Sequence, residues 1–204
     1  MGISASQVKD LRLKTGAGMM DCKAALLETD GDMDKAVDYL RKKGVLKAAK
    51  RAGRHTGEGI VASYVHAGSK LAVLVEVNCE TDFVARTDQF QDFAKSVAMH
   101  IAAQNPSVVE RDDLPEDAVA RERGIYREQA LASGKPEKIV DKIIDGRIEK
   151  YYSEVCLLEQ PYVKDPDISV DDLLKQTIAV LGENIRIRRF VRMKLGEDVS
   201  GQEN

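Results

Sequence analysis

Aromatic residues are scarce in this 204-residue chain, which has no tryptophan and only 5% phenylalanine, tyrosine and tryptophan together. Long apolar runs are missing too, because no stretch approaches the roughly 18 consecutive apolar residues of a membrane-spanning helix. The N-terminal sequence has no basic patch followed by an apolar segment, so it does not resemble a signal peptide. From these absences we expect a cytoplasmic protein that makes no contact with a membrane.

A large excess of one charge is also absent. Charged residues make up 32% of the chain, but the formal net charge at pH 7 is only -3. This balance argues against a general binder of nucleic acid or of membrane surfaces. Residues 41–54 are the exception, because they contain lysines and arginines but no acidic residue. Such a stretch could contact nucleic acid or the ribosome, or it could be the solvated end of a helix, where cations are favoured.

Patterns of catalytic and metal-binding residues are missing as well. The three cysteines, Cys22, Cys79 and Cys156, lie far apart, and no two of them have the spacing of metal ligands. An odd number of scattered cysteines is typical of a reducing cytosol, and each is most simply a small buried apolar residue. The histidines are equally scattered, and there is no glycine-rich phosphate loop. We therefore predict a protein without a metal ion, cofactor or covalent chemistry of its own.

The N-terminal part of the chain predicts three short helices. Apolar spacing indicates a helix over residues 4–14 and a second that starts at Met19. Asp32 is placed to cap a third helix, which we expect to end at Gly44. Because glycine turns join these helices, they should form a small compact bundle. Met19 and its neighbour Met20 could be exposed contact residues or could fill gaps in the bundle.

The rest of the chain predicts a mixed core. Two segments rich in β-branched residues, 59–66 and 71–78, predict an antiparallel hairpin, and the alternation over 185–192 predicts a third strand beside it. The helical patterns between them cover residues 86–103 and 116–132, a segment that begins at Pro136, and residues 170–181. Residues 160–166 have no regular pattern, and we expect an irregular loop there.

These elements predict an α+β fold with two domains. Residues 1–54 form a three-helix N-terminal domain, and residues 55–196 form a core of three antiparallel strands packed with helices. The glycine-containing segment between them is typical of a linker. Residues 197–204 are expected to be a flexible tail.

One connection in the core combines an acid with a large aromatic residue. The sequence Thr81-Asp82-Phe83-Val84 lies between the second strand and the next helix. Short connections on a rigid platform often hold functional side chains, so Asp82 and Phe83 could act as a wedge with a polar handle. A purely structural role fits as well. Phe83 has the spacing of the first core residue of the helix, and Asp82 that of its N-cap.

Three motifs go beyond such general patterns. They are VKDLR with TGAGMMDCKAAL (residues 8–12 and 15–26), VEVNCETDFV (residues 75–84) and GENIRIRR (residues 182–189). In this order and at these positions they closely resemble the bacterial elongation factor Ts family. Members of that family exchange the guanine nucleotide of elongation factor Tu during translation.

The resemblance implies an overall organisation. The N-terminal domain should be similar to a ubiquitin-associated module, followed by the α+β core. The partner should be elongation factor Tu, in its GDP-bound and nucleotide-free states, with no direct binding of nucleic acid. Longer members carry two related core subdomains, whereas this chain has room for one. Because compact members make up the missing half by dimerising, the resemblance implies a homodimer.

The resemblance also implies roles for individual residues. The segment that dislodges Mg²⁺ from Tu is matched by Thr81, Asp82, Phe83 and Val84, and Asp82 and Phe83 are its inserting pair. The N-terminal surface that contacts the same domain of Tu is matched by Val8, Leu11, Arg12, Met19 and Met20.

Two other classes of function stay open on the residues alone. A binding adaptor would use Met19, Met20 and the adjoining turn, with Phe83 in the core. An RNA or ribosome binder would use residues 41–54 and the arginines of the last strand, and its binding would depend steeply on salt. An enzyme fits least well, because no acid–base pair or nucleophile set is visible.

Overall fold

The structure, a computed structural model, describes residues 3–134 and 136–197. Over these residues it is an α+β fold, as the sequence predicts. The predicted tail covers residues 197–204. Only Glu197 belongs to the described residues, and the rest of the tail lies outside them. The helices are α1 Ala5–Thr15, α2 Met19–Glu28, α3 Met33–Ala49, α4 Asp82–Ala85, α5 Asp88–Gln104, α6 Glu116–Ala132, α7 Glu137–Val155 and α8 Val170–Leu181. The strands are β1 Glu58–Val65, β2 Leu71–Cys79, β3 Pro161–Tyr162, β4 Asp165–Ser169 and β5 Ile185–Lys194.

The main sheet has three strands in the order β1-β2-β5. Strand β5 runs antiparallel to β2, because Leu195 N donates to Lys70 O at one end while Arg189 contacts Glu76 at the other. The predicted three-stranded antiparallel sheet is therefore confirmed. Along the central strand β2, buried and exposed side chains alternate, as expected when one face of the sheet is covered. Val73 and Val75 are buried, and Leu74 between them is 51% exposed.

The opposite face of this sheet carries exposed apolar side chains. On β2 this face carries Leu74, which alternates with the buried Val73 and Val75. The strands of this sheet carry four further exposed apolar side chains, and we call the group Val61, Val65, Leu74, Val191 and Met193 the open sheet face. Isolated exposed apolar residues are ordinary, but a group of them on one sheet is a surface that favours a covering layer.

The three N-terminal helices have a core of their own. Ser4 caps α1 in a capping box with Gln7, and Asp32 caps α3 by accepting from Lys35 N, as its position predicts. Gly16 ends α1 in the left-handed conformation, with φ +67°. The buried residues of this core are Val8, Leu11, Cys22, Ala25, Leu26 and Ala36.

The predicted end of α3 at Gly44 is wrong. The helix continues to Ala49, and Gly44 is buried within it. A Cβ atom at this position would lie 3.3 Å from Cβ of Ala179 in α8. The glycine therefore serves close helix–helix packing, which outweighs its low helix propensity.

The irregular loop predicted over residues 160–166 is also wrong in part. Strands β3 and β4 pair antiparallel as a small hairpin. Tyr162 and Ile168 are its buried side chains. The strands are too short for an alternating pattern, and their two prolines are strand-breaking signals, which is why the sequence did not indicate them.

The chain forms two compact units by its contacts. One contains Met1–Ile60, Val77–Ala94 and Asp172–Arg186, and the other contains Val61–Glu76, Lys95–Asp171 and Ile187–Asn204. Within the second unit, α6 and α7 form a helical hairpin with a small core of its own, which contains Ala130, Val140, Ile144 and Ile148. The predicted domains, 1–54 and 55–196, stay a prediction.

Gly59 in β1 provides a test of local packing. Its φ is +146°, and a Cβ atom there would lie 2.2 Å from the carbonyl oxygen of Val77. We expect Gly59→Ala to lower the free energy of unfolding by at least about 3 kcal/mol, because backbone must shift to relieve the overlap. Gly68→Ala is the matched control, since φ there is +88° with no atom within 4 Å. Urea denaturation measures both, and equal losses would contradict the overlap.

His100 predicts a pH dependence of stability. It is fully buried, Val163 N donates to its Nδ1 at 3.2 Å, and its Nε2 lies 2.9 Å from Gln160 Oε1. Because Nδ1 accepts, the proton of the neutral ring lies on Nε2. Burial lowers the pKa of His100 from its ordinary value, and the hydrogen bond with Gln160 opposes this change.

Because the pKa of His100 is lowered in the folded state, a fall in pH should destabilise the protein. The contribution of neutral His100 is complete above the unfolded-state pKa of about 6.5 and is lost as the pH falls through the lower folded-state pKa. We expect the stability advantage of wild type over His100→Gln to shrink as the pH falls from about 7.5 to about 5. Denaturant midpoints measure it, with the exposed His55→Gln as control. An advantage that stays constant with pH would contradict the prediction.

Candidate functional site

The segment that joins β2 to α5 is built around a single turn of helix. We call residues 79–86 the corner segment. Strand β2 ends at Cys79, and α4 follows with Thr81 as its N-cap, whose hydroxyl accepts from Val84 N at 3.4 Å. The interpretation of Asp82 as the N-cap is therefore wrong. Asp82 instead lies in the first turn and forms an ion pair of 2.9 Å with Arg86.

Phe83 is the most exposed large apolar side chain in the described residues, at 79%. The interpretation of Phe83 as the first core residue of the helix is therefore wrong. The buried side of this region begins at Ala85 and continues with Phe90, which is fully buried. An apolar ring that points into solvent from a short helix is a surface suited to insertion into a partner.

Polar contacts connect the corner segment with the residues that precede β5. The carboxylate of Glu183 accepts hydrogen bonds from Glu80 N and Thr81 N, at 3.1 and 3.0 Å, and from the Thr81 hydroxyl at 2.6 Å. Glu80 in return accepts from Asn184 N. In the sequence, Glu183 and Asn184 stand out only as part of the GENIRIRR motif. Their separation from Thr81 along the chain left no local signal for these contacts.

The three cysteines are buried thiols. Burial, followed by the negative charge of Glu183, raises the pKa of Cys79 to about 11, and burial raises the pKa of Cys156 to about 11 as well. Cys79 donates its S–H to Thr81 O at 3.1 Å, so it supports the corner segment as a thiol. All three cysteines are free and buried, which also leaves none accessible for a bond between two chains.

The predicted N-terminal contact residues separate into two groups. Val8 and Leu11 are 7% and 0% exposed and belong to the N-terminal core, and their role in contact with a partner stays a prediction. Arg12, Met19 and Met20 are exposed. Gap filling is therefore not the role of the two methionines. Leu13, which the sequence analysis did not select, is 76% exposed beside Arg12.

The basic stretch over residues 41–54 is partly neutralised within the protein. Lys43 and Lys47 both pair with Asp21, at 3.1 and 2.9 Å, and their hydrogen bonds lower the pKa of that carboxyl, with Lys47 as the largest cause. Arg54 pairs with Glu80 at 3.4 Å. Because Lys43, Lys47 and Arg54 already pair with carboxylates, fewer cations of this stretch can contact phosphate groups. This weakens the interpretation of residues 41–54 as a nucleic-acid contact.

Residues 3–134 and 136–197 contain neither a metal-binding cluster nor a membrane-spanning helix. No group of three or more His, Cys, Asp or Glu side chains there is arranged to hold a metal ion. Among the helices of those same residues, none has the length and apolar character needed to cross a bilayer.

Comparison with known proteins gives a consistent result. A family model described as Elongation factor TS matches residues 32–197. Elongation factor Ts of Desulfosudis oleivorans is 62% identical over 195 residues, covering 96% of this chain and 98% of the relative. Elongation factor Ts of a Thermoanaerobacter species is 57% identical over 202 residues, with 99% of both chains covered. Because the family model matches residues 32–197 and these relatives cover nearly the whole chain, this chain belongs to the elongation factor Ts family of translation elongation factors.

Proposed function

We propose that this protein is the guanine-nucleotide exchange factor of elongation factor Tu. It binds Tu in the GDP-bound state and inserts Asp82 and Phe83 beside the Mg²⁺ of the partner, so that GDP leaves and GTP can enter. The observation that carries this proposal is the 79% exposure of Phe83 on a short helix that follows the central strand of the sheet. The resemblance of residues 75–84 to the family's exchange motif supports the assignment of roles to Thr81, Asp82, Phe83 and Val84.

The proposed mechanism needs no covalent chemistry. A nucleotide held by a phosphate loop and Mg²⁺ is held largely by charge, and the metal is the largest local charge. Moving the helix that supports the metal therefore weakens nucleotide binding. The coupling is reciprocal, because any loss of nucleotide affinity caused by this protein equals the loss of its own affinity caused by nucleotide. The factor consequently dissociates when GTP enters, and no cofactor of its own takes part.

Phe83 cannot supply all of the energy. A thousandfold weakening of GDP binding corresponds to about 4 kcal/mol, whereas burial of one phenylalanine side chain contributes about 1.5–3 kcal/mol. The N-terminal helices, which we propose to be a domain like the ubiquitin-associated module, must contribute as well. Arg12, Met19 and Met20 are their exposed contact residues, and methionine adapts easily to a partner surface.

We further propose that the protein acts as a homodimer that binds two Tu molecules in the cytoplasm. The open sheet face supports this, because a sheet with an apolar face is stable when a second layer covers it. A two-fold dimer would place the same apolar side chains of two copies against each other, as isologous interfaces require.

Release of a fluorescent GDP analogue from Tu tests the exchange function. We expect catalytic amounts of this protein to accelerate release in the presence of excess unlabelled nucleotide. Absence of any acceleration, with Tu that is shown to be active, would remove the exchange proposal. Binding to Tu without acceleration would favour an adaptor that uses the N-terminal surface alone.

A further inference from the structure

Helix α4 is too short to hold its own position. It has four residues, Asp82–Ala85, and helices of this length have no stability of their own in water. Phe83 cannot anchor it, because its side chain is 79% exposed. The direction in which Phe83 points must therefore be set by contacts from outside the helix.

The carboxylate of Glu183 makes three such contacts. Its Oε2 accepts from the backbone N–H groups of Glu80 and Thr81, at 3.1 and 3.0 Å. Its Oε1 accepts from the Thr81 hydroxyl at 2.6 Å. Hydrogen bonds to an ionised carboxylate are stronger than neutral ones. One side chain, 102 residues further along the chain, thus holds two consecutive residues at the start of the helix.

The contact with the Thr81 hydroxyl also orients the helix cap. A hydroxyl has one hydrogen to donate, and here it is used for Glu183. The lone pairs of the Thr81 oxygen are left to face Val84 N, which donates to it at 3.4 Å. Without Glu183 the hydroxyl hydrogen could rotate toward other acceptors, and the cap of α4 would lose its preferred orientation.

Glu183 is itself held in place by its neighbour. Asn184 N donates to Glu80 Oε1 at 2.6 Å, so the two segments exchange hydrogen bonds in both directions. The Asn184 side-chain amide donates to Arg54 O and Ala52 O, at 2.9 and 3.3 Å. Asn184 is only 7% exposed, so these hydrogen bonds are formed away from bulk water. These hydrogen bonds of Asn184 hold the backbone next to Glu183 in place.

From this geometry we infer that Glu183 is a positioning residue of the exchange function, which aligns Phe83 through Thr81 for insertion into the partner. This inference rests on the proposed function and assigns a role to the GENIRIRR motif that the exchange mechanism left without one. Glu183 does not contact nucleotide or metal in this role. It acts by keeping α4 in one orientation before the partner arrives.

The central test is Glu183→Gln. Glutamine has nearly the same shape, but it is uncharged and its amide nitrogen cannot accept. At least one of the three hydrogen bonds is therefore lost or reversed, and a reversed bond would use a lone pair of the Thr81 hydroxyl and free its hydrogen. We expect the maximal rate of GDP release from Tu to fall roughly tenfold, while the half-saturating concentration of the factor changes less than about twofold. The three hydrogen bonds of Glu183 go to Glu80 and Thr81 rather than to the N-terminal helices, which is why we expect binding to be kept. The matched control is Glu149→Gln, which breaks an exposed ion pair with Arg111 instead.

A second variant separates positioning from a general loss of structure. If Glu183 acts through Phe83, then Glu183→Gln should cost almost nothing further in a Phe83→Ala background. Amide hydrogen exchange provides a readout without Tu, since the N–H groups of Glu80 and Thr81 should lose protection in Glu183→Gln while the N-terminal core keeps it.

The outcomes separate this inference from the proposed function. If wild type releases GDP and Glu183→Gln does so equally fast, the positioning role is wrong and the exchange function stands. Additive losses in the double variant, or a loss confined to half-saturation, would also overturn the positioning role. If wild type does not accelerate release at all, the proposed function fails and the role of Glu183 fails with it, whatever the amides show.

Discussion

Replacement of Phe83 by alanine is expected to slow the release of GDP from elongation factor Tu by about 10- to 100-fold at equal factor concentration. The variant removes an apolar side chain that we propose to be buried in the partner. Such burial contributes about 1.5–3 kcal/mol, and each 1.4 kcal/mol corresponds to a factor of ten. Because Phe83 is 79% exposed in the free protein, the free energy of unfolding should change by less than about 0.5 kcal/mol.

This combination of a large functional and a small structural effect distinguishes a contact residue from a core residue. Stopped-flow release of fluorescent GDP measures the first quantity and urea denaturation measures the second. Ile139→Ala is a suitable control, because Ile139 is also exposed but lies in the α6–α7 hairpin. If Phe83→Ala exchanged nucleotide as fast as wild type, the N-terminal surface would have to carry the mechanism alone.

The second large effect is expected at the open sheet face. We predict that Leu74→Lys converts the proposed homodimer into monomers, raising the dissociation constant by at least about a thousandfold. The reason is that a two-fold interface buries the new charge twice, and burying an unpaired charge costs several kcal/mol. A total of about 4 kcal/mol corresponds to a thousandfold change in affinity.

The protein offers a closely matched control for this experiment. Leu74 is 51% exposed in the open sheet face, and Leu131 is 50% exposed at the end of α6. The two leucines have nearly the same exposure, so the comparison tests the effect of their location. Sedimentation equilibrium at micromolar concentration should show monomers for Leu74→Lys and dimers for Leu131→Lys. A wild-type protein that sediments as a monomer under the same conditions would overturn the dimer itself.

The sequence was informative wherever a local pattern sets the structure. The hairpin β1-β2 and strand β5 follow from β-branched residues in alternation, and the amphipathic helices follow from apolar spacing. Their existence was correct even though their ends differ by a few residues. The family motifs located the corner segment, because they are an unbroken run of residues that needs no tertiary information to be recognised.

The sequence-based predictions differ from the structure where a residue is packed against a segment far away in the chain. Gly44 looks like a helix end, but its partner is Ala179 in α8, and close packing keeps the helix intact. Val8 and Leu11 belong to a recognised motif, and only the fold shows that both are buried in the N-terminal core. Phe83 has helical spacing, but the helix turns it away from the core.

The sequence by itself determined the family, the α+β class, most elements and the identity of the corner segment, because these depend on neighbouring residues in the chain. Only the tertiary structure decided that Phe83 is exposed, that Val8 and Leu11 are buried, and that the carboxylate of Glu183 holds Thr81 from 102 positions away. The physical reason is that burial and hydrogen-bond partners depend on which segments the fold brings together. The periodicity of residues along the chain does not specify those tertiary contacts.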